Sequence, residues 1–265
     1  MKKKIIIILS FVLAWIRTSA GDDFCGITNT TFQSGEGINF KVFYNVIGIY
    51  VDAGNASFNV TTERYQNKPV YHIVGLGNSN ESYDWIFKVR DRYETYIDTA
   101  SLKPYRFVRQ VDEGGYRKNE NVTFNHEAGT AVSSTGIYKI PNCIQDVLSS
   151  IYYARNIDFD KYNPGDKIPF QMFLDDEVYG LYIRYLGKEV IKTRYGRFKA
   201  IKFKPLLIKG TIFEGGEKMA VWVTDDANHL PVRIESPISV GSIKVDMMGY
   251  KNLRYPVTSF LGKEN

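Results

Sequence analysis

Trp222-Val223-Thr224-Asp225-Asp226-Ala227-Asn228-His229-Leu230-Pro231-Val232-Arg233-Ile234 reads as a strand, a polar turn and a returning strand. Apolar residues alternate on both sides of the turn, Asp and Asn favour its backbone, and Pro limits where the second strand starts. A weaker echo lies upstream, Tyr96-Ile97-Asp98-Thr99-Ala100-Ser101-Leu102-Lys103-Pro104-Tyr105-Arg106-Phe107. Both open the returning strand with Leu, Pro and Arg, although the Leu-to-Pro spacing differs by one residue. A second pair precedes them. Gly35-Glu36-Gly37-Ile38-Asn39-Phe40 and Gly165-Asp166-Lys167-Ile168-Pro169-Phe170 share the pattern Gly-acid-x-Ile-x-Phe. In each stretch that motif comes first and the hairpin last, a similar distance on, which points to an internal duplication. Shared turn chemistry in unrelated β-meanders is the alternative.

Between these landmarks the period is two. Asn39–Tyr44, Ala56–Val60, Val70–Val74, Trp85–Val89, Tyr105–Val111, Ile168–Leu174, Tyr179–Tyr185, Ala200–Leu207, Met219–Val223 and Ile243–Met247 all read as half-buried strands. Glu113-Gly114-Gly115, Asn163-Pro164-Gly165-Asp166 and Glu214-Gly215-Gly216-Glu217 read as tight hairpin turns. One segment has helical spacing instead: Ile144, Val147, Leu148, Ile151 and Tyr152. Asn142 is placed to cap that helix, with Gln145 as capping-box partner, Asp146 at the positive end and Arg155 at the negative end. The fold class is all-β: a large curved antiparallel sheet or half-barrel, in two related meander halves, with one amphipathic helix at about 143–155. Residues 21–140 and 164–265 form the halves, within one domain or two, and 141–163 the connector.

Residues 1–20 read as a secretory leader. Lys2, Lys3 and Lys4 precede a short apolar run, and Thr18-Ser19-Ala20 supplies the small residues of a cleavage site. An uncleaved anchor is the alternative; with the leader removed, no integral span is expected. Cleavage also removes Arg17 and leaves 30 basic against 29 acidic residues, a net charge of about +1. That balance gives no reason to expect a nucleic-acid partner, which needs a clustered basic face. Cys25 and Cys143 both survive cleavage. In an oxidising compartment such a pair is most simply a disulfide, with two buried thiols as the alternative.

No catalytic, metal or cofactor motif stands out. His72, His126 and His229 lie far apart, and Asp175-Asp176-Glu177 lacks the alternating oxygen spacing of a calcium loop. His229 beside Asp225 and Asp226 is a turn first and a carboxylate site second. Asp98-Thr99-Ala100 fits a short O-glycosylation pattern. Candidate ligand-binding residues are the aromatics Tyr44, Trp85, Phe87, Tyr182 and Trp222, with Arg106 and Arg233 for an anionic head group. The competing role for the arginines is an ion pair with the turn's own Asp, locking each hairpin.

Phe32-x-x-Gly35-Glu36, Lys41-Val42-Phe43-Tyr44-Asn45, Asp52-Ala53-Gly54-x-Ala56-x-Phe58, Arg155-Asn156-x-Asp158-Phe159 and the Trp222–Pro237 block resemble a secreted bacterial family. It is the family known as domain of unknown function 3108. The resemblance runs from about Phe32 to Met248 and implies a β-rich protein of the Gram-negative periplasm or envelope, without an assigned activity. A looser similarity, confined to the Leu-Pro-x-Arg hairpin, is to periplasmic lipoprotein carriers of the LolA/LolB type. It implies a sheet wrapped around an apolar cavity. The leading expectation is therefore a non-enzymatic protein that binds an apolar or amphipathic envelope molecule, a lipid or lipoprotein, in the sheet's concavity. A structural or adaptor role toward another envelope protein is the alternative, and a glycan-processing or other hydrolase the third.

Overall fold

Two runs of six strands, each strand paired to the next, make most of one curved antiparallel sheet. The first run is β1 (Gly37–Val46), β2 (Ile49–Tyr65), β3 (Lys68–Ser79), β4 (Arg90–Asp98), β5 (Pro104–Glu113) and β6 (Tyr116–Asn125). The second is β9 (Lys167–Leu174), β10 (Glu177–Lys192), β11 (Arg197–Pro205), β12 (Ala220–Thr224), β13 (Pro231–Pro237) and β14 (Ser242–Lys251). β1 also pairs with β14, joining the first strand of one run to the last of the other. Short strands β7 (Thr130–Val132) and β8 (Ile137–Lys139) extend one edge, and β15 (Phe260–Gly262) pairs with β11. This computed structural model describes residues 25–46, 49–209, 215–238 and 241–263. The leader assigned to residues 1–20 lies outside them, as does part of the Glu214–Glu217 turn. The curved, open, almost wholly antiparallel sheet is the architecture its alternating pattern predicts.

Local chemistry explains the strands. In β9, Ile168, Phe170 and Met172 are buried while Lys167, Pro169 and Gln171 are exposed, the alternation of a strand with one face in the core. β9 turns into β10 through Asp175 and Asp176, at φ 51° and 66°. Two successive left-handed residues match the twist of a two-residue hairpin. Each Gly-acid-x-Ile-x-Phe motif leads into the first strand of its run. Each Leu/Pro/Arg hairpin joins the fourth strand to the fifth.

Two sequence expectations are corrected here. Asp84–Phe87 is a single helical turn, α1, not part of a strand. Asp84 accepts from Ser79 Oγ and pairs with Arg90 at 2.6 Å, which pulls the segment into a loop despite its strand-forming Trp, Ile and Phe. Asn163–Asp166 leads into β9 rather than linking two strands, because what precedes it is a short 3-10 turn, Phe159–Lys161.

The helix, α2 (Val147–Ala154), starts later than its apolar spacing implies. Its cap is Asp146, whose carboxylate accepts from the Leu148 and Ser149 N–H groups, while Ser149 Oγ accepts from the Asp146 N–H. Asn142 and Gln145 do not fill the roles predicted for them. Asn142 accepts from Lys103 Nζ at 2.6 Å. Gln145 is drawn onto β9 as extended chain, donating to Gln171 O at 2.9 Å and accepting from Phe173 N–H at 2.8 Å. Edge pairing thus competes with the first helical turn and wins. Cys143, just ahead, is bonded to Cys25 across 118 residues, as the cysteine count suggests.

The space enclosed by the sheet is occupied by the protein itself. Leu148, Tyr152 and Tyr153 of α2, followed by Ile157 and Phe159, pack among Val60, Ile73 and Ile97 of the first run and Ile168, Ile183, Ile201 and Phe203 of the second. Tyr152 is fully buried, edge-on to Phe32 at 4.9 Å and to Phe58 at 6.3 Å. The two ends of the sheet meet without a continuous strand ladder. Phe173 of β9 packs edge-on against Phe124 of β6 at 6.0 Å. Asp175 pairs with Arg109 and Lys118, and Asp176 accepts from Ser133 Oγ and Thr135 Oγ1.

Candidate functional site

The two hairpins that organise the sequence carry different polar networks from those expected. Arg233 does not lock its own turn. Its guanidinium grips Asp246 of the next strand, Nε–Oδ1 2.6 Å and Nη2–Oδ2 2.7 Å. The cause is register: Arg233 lies directly opposite Asp246 in the β13–β14 ladder. Arg106 also reaches the next strand, but diagonally: it lies opposite Thr123 and donates to Asn121 of β6 at 3.0 Å. The turn carboxylates have other work. Asp226 accepts from Thr224 Oγ1, Asn228 N–H, and both the N–H and hydroxyl of Ser259, tying the C-terminal segment to the turn. Asp98 accepts from Ala100 and Ser101 N–H groups and from the Tyr105 hydroxyl. The one-residue difference in Leu-to-Pro spacing also acquires a reason. The residue two before Pro is left-handed in both turns, Leu102 at φ 56° and His229 at φ 41°. The two hairpins align on backbone conformation, not on leucine.

His229 joins no carboxylate site. Its Nδ1 lies 2.6 Å from Arg155 O, and burial pushes its pKa down. Arg155, which ends α2, donates from Nε and Nη2 to Asn228 O and forms a forked pair with Glu36. The hairpin is therefore latched to the buried helix.

The candidate ligand-binding residues do not converge on one site. Tyr182 donates to Glu217, which Arg184 also clamps through two nitrogens at 2.7 Å; these bonds hold the Glu217 pKa down at about 2. Trp222 donates to Glu189 at 2.6 Å beneath Lys202. Tyr44 is half-buried near Gly241, and Arg106 lies over the Tyr96 ring. Only Trp85 and Phe87 fall together.

They fall on a rim. In an antiparallel meander the β1–β2, β3–β4 and β5–β6 connections share one end of the sheet. On that end Trp85 is 83% exposed, Ile86 62%, Phe87 44% and Ile49 68%, with Tyr50 and Tyr116 also exposed. The β3–β4 loop that carries the first three is tied at both ends. Asn80 N–H donates to Ala53 O at 2.9 Å, its side chain to Asp52 O at 2.8 Å, and Gly114 N–H to Lys88 O at 2.8 Å. Phe87 lies so close over Gly114 that a Cβ there would sit 2.3 Å from its ring. A held loop presenting three consecutive large apolar side chains is uncommon on a protein that remains in water.

Behind the rim, Asp91 and Glu113 form a carboxylate pair. Burial, then the charge of Glu113, pushes Asp91 up to about 8, and burial raises Glu113 as well. At neutral pH the pair holds a proton. Arg109 stands near it but is already paired with Glu120 at 2.9 Å and with Asp175. Among the described residues no three His, Cys, Asp or Glu side chains are grouped to hold a metal, and no helix is long and apolar enough to cross a membrane.

The sequence reading missed one further feature. Lys192-Thr193-Arg194-Tyr195-Gly196-Arg197, the β10–β11 turn, helps line a surface groove with Arg233, Lys244 and Lys263. Its signal was the local run of basic residues, hidden by a nearly neutral total.

A family model described as protein of unknown function DUF3108 matches residues 39–248. No curated protein matches the chain. Among solved structures, a β-barrel-like protein of domain of unknown function DUF1849 from Brucella abortus aligns with a TM-score of 0.55 at 8% identity, covering 83% of this chain and 98% of that one. A protein with a YmcC-like fold from Bacteroides fragilis NCTC 9343 aligns with a TM-score of 0.32 at 13% identity, covering 85% and 100%. The first likeness concerns the fold alone.

Proposed function

The chain belongs to the DUF3108 family, and from that premise we propose a non-enzymatic envelope protein that attaches to the interfacial zone of a membrane through its aromatic rim. The observation that carries this reading is the exposed Trp85-Ile86-Phe87 tip on a tethered loop. Trp and Tyr favour the membrane–water boundary, where a ring is buried and its polar atom stays satisfied. Trp85 already donates its indole N–H to Ser82 O at 3.0 Å, so entering the boundary leaves no donor unpaired. Burying a large apolar side chain contributes about 1.5–3 kcal/mol, so three suffice for reversible attachment. The filled interior favours this over carriage of a ligand in the concavity. An extracytoplasmic setting is supported by the leader pattern and by the Cys25–Cys143 bond. The same reading takes 21–140 and 164–265 as duplicated halves around the connector 141–163, sharing one core.

Intrinsic fluorescence tests it. After residue 20 the chain has two tryptophans, Trp85 and Trp222, and Trp222 is buried. Phosphatidylcholine vesicles are expected to shift the emission to shorter wavelength and to co-sediment the protein. Trp85→Ser with Ile86→Ser should abolish co-sedimentation while leaving the thermal midpoint near wild type. Unchanged co-sedimentation of that variant, or none by the wild type, rejects the rim as a membrane contact.

A further inference from the structure

A groove of about 750 Å³ runs between the β10–β11 turn and the adjoining strands β1, β13 and β14. Six basic side chains line it, Lys192, Arg194, Arg197, Arg233, Lys244 and Lys263, against one carboxylate, Asp246. That carboxylate is already engaged. Arg233 holds both of its oxygens, and the Arg194 N–H donates to Oδ2 at 3.1 Å. Lys244 also lies 3.1 Å from Glu235, so six basic residues are set against two carboxylates. A chain whose residues after 20 carry a net charge of only about +1 thus concentrates positive charge at one place. Such a concave, one-signed surface focuses field lines and gathers counter-ions.

The cations are spaced by rings. Arg194 stacks over Phe43 at 4.3 Å, Lys244 over Tyr50 at 4.5 Å and Lys263 over Tyr195 at 5.7 Å. Each ring places its cation without neutralising it. The fork of Arg233, best suited to a planar carboxylate, is committed to Asp246. Three of the six basic residues are lysines, whose ammonium is a point charge without a fixed fork and suits tetrahedral phosphate oxygens. The size is that of a ligand site and not of an ion site.

We propose that this groove binds a ligand bearing two or more phosphates, either a phospholipid head group or a soluble phosphorylated molecule. The site goes beyond the rim and shares only Tyr50 with it, so each is tested without the other.

Calorimetric titration with inorganic tripolyphosphate is the direct test, since it carries the phosphates and nothing else. Saturable binding that weakens steeply with added salt is expected. Arg194→Gln with Lys263→Gln should weaken it about tenfold or more, the loss of two charge-assisted contacts, whereas Trp85→Ser should leave it unchanged. The Arg194 backbone bond to Asp246 survives its substitution, and Lys244→Gln is a second variant should the first be unstable. No saturable heat, or equal affinity in wild type and both groove variants, overturns the proposal. Vesicles separate the two sources, both of which uphold the site. In the Trp85→Ser background, binding to cardiolipin vesicles that needs Arg194 and Lys263 assigns the head group. Tripolyphosphate binding without cardiolipin binding assigns a soluble ligand.

Discussion

Arg155, at the end of the buried helix, and Glu36, just before β1, form a forked ion pair with Nη1–Oε1 2.6 Å and Nη2–Oε2 3.0 Å, and neither is accessible to solvent. The guanidinium also lies over the Tyr152 ring at 5.1 Å and donates to Asn228 O of the β12–β13 turn. One cation therefore joins the helix, the first strand and the signature hairpin. Breaking such a pair on one side leaves the other charge buried and uncompensated. Glu36→Gln is expected to cost about 3–5 kcal/mol, while Glu36→Leu with Arg155→Met should cost clearly less than the two single changes summed. Urea denaturation decides; a Glu36→Gln cost under about 1 kcal/mol would show that solvent reaches the pair.

The cap of α2 makes a separate prediction. Asp146 accepts two backbone N–H groups and the Thr95 hydroxyl, and burial still pushes its pKa up to about 6. Asp146→Ala removes the acceptor and should cost about 1–2 kcal/mol. The folded protein holds a proton here that the unfolded chain loses near pH 4, so this group's stabilisation fades as pH rises through about 6. Asp146→Asn, which still accepts but does not titrate, should show a flatter thermal midpoint between those values. Parallel curves for the two proteins would contradict that.

Asp91 and Glu113 shift stability in the same direction over a wider range. With Asp91 raised to about 8, folding retains a proton that the unfolded chain gives up near pH 4, and stability falls across the interval. Asp91→Asn removes the repulsion. Its thermal midpoint should match wild type near pH 4 and exceed it by a few degrees near pH 9. A gap that does not grow with pH would rule out a shared proton.

The Cys25–Cys143 bond closes a loop with a sequence separation of 118 and anchors the segment that pairs with β9. Chain-entropy arguments put the stabilisation from so long a loop at about 4–5 kcal/mol at most. Reduction, or Cys25→Ser with Cys143→Ser, should lower the thermal midpoint clearly and speed amide exchange at Gln145 and Phe173 first. Loss of stability without local exchange there would assign the bond to the unfolded state alone.

Much of the fold was legible because strand alternation is a local property. Ile168, Phe170 and Met172 show their buried face in sequence, as do the two motifs that lead into β1 and β9. The Asp84–Phe87 turn was not legible. Trp, Ile and Phe favour a strand, and the contacts that override them, Ser79 and Arg90 with Asp84, come from its two flanks. The helix start was misplaced for a similar reason. Gln145 looks like a capping partner until β9, more than twenty residues later, claims its backbone. Site prediction fared worse. Tyr182, Trp222, Arg106 and Arg233 each found a partner on another strand or loop, and of the candidates only Trp85 and Phe87 stayed together in the open.

By itself the sequence determined the all-β class, the two Leu/Pro/Arg hairpins, the cysteine pair and the family, all of which rest on spacing and turn chemistry within a few residues or on direct matching. Tertiary structure alone decided what the Leu-Pro-x-Arg hairpin is for. Arg233 faces Asp246 through strand register, and Asn228 meets Arg155 because the sheet wraps the helix. It also decided that the interior is filled and that apolar and basic side chains are displayed outside. Those outcomes depend on how a long sheet curves, which no local pattern encodes.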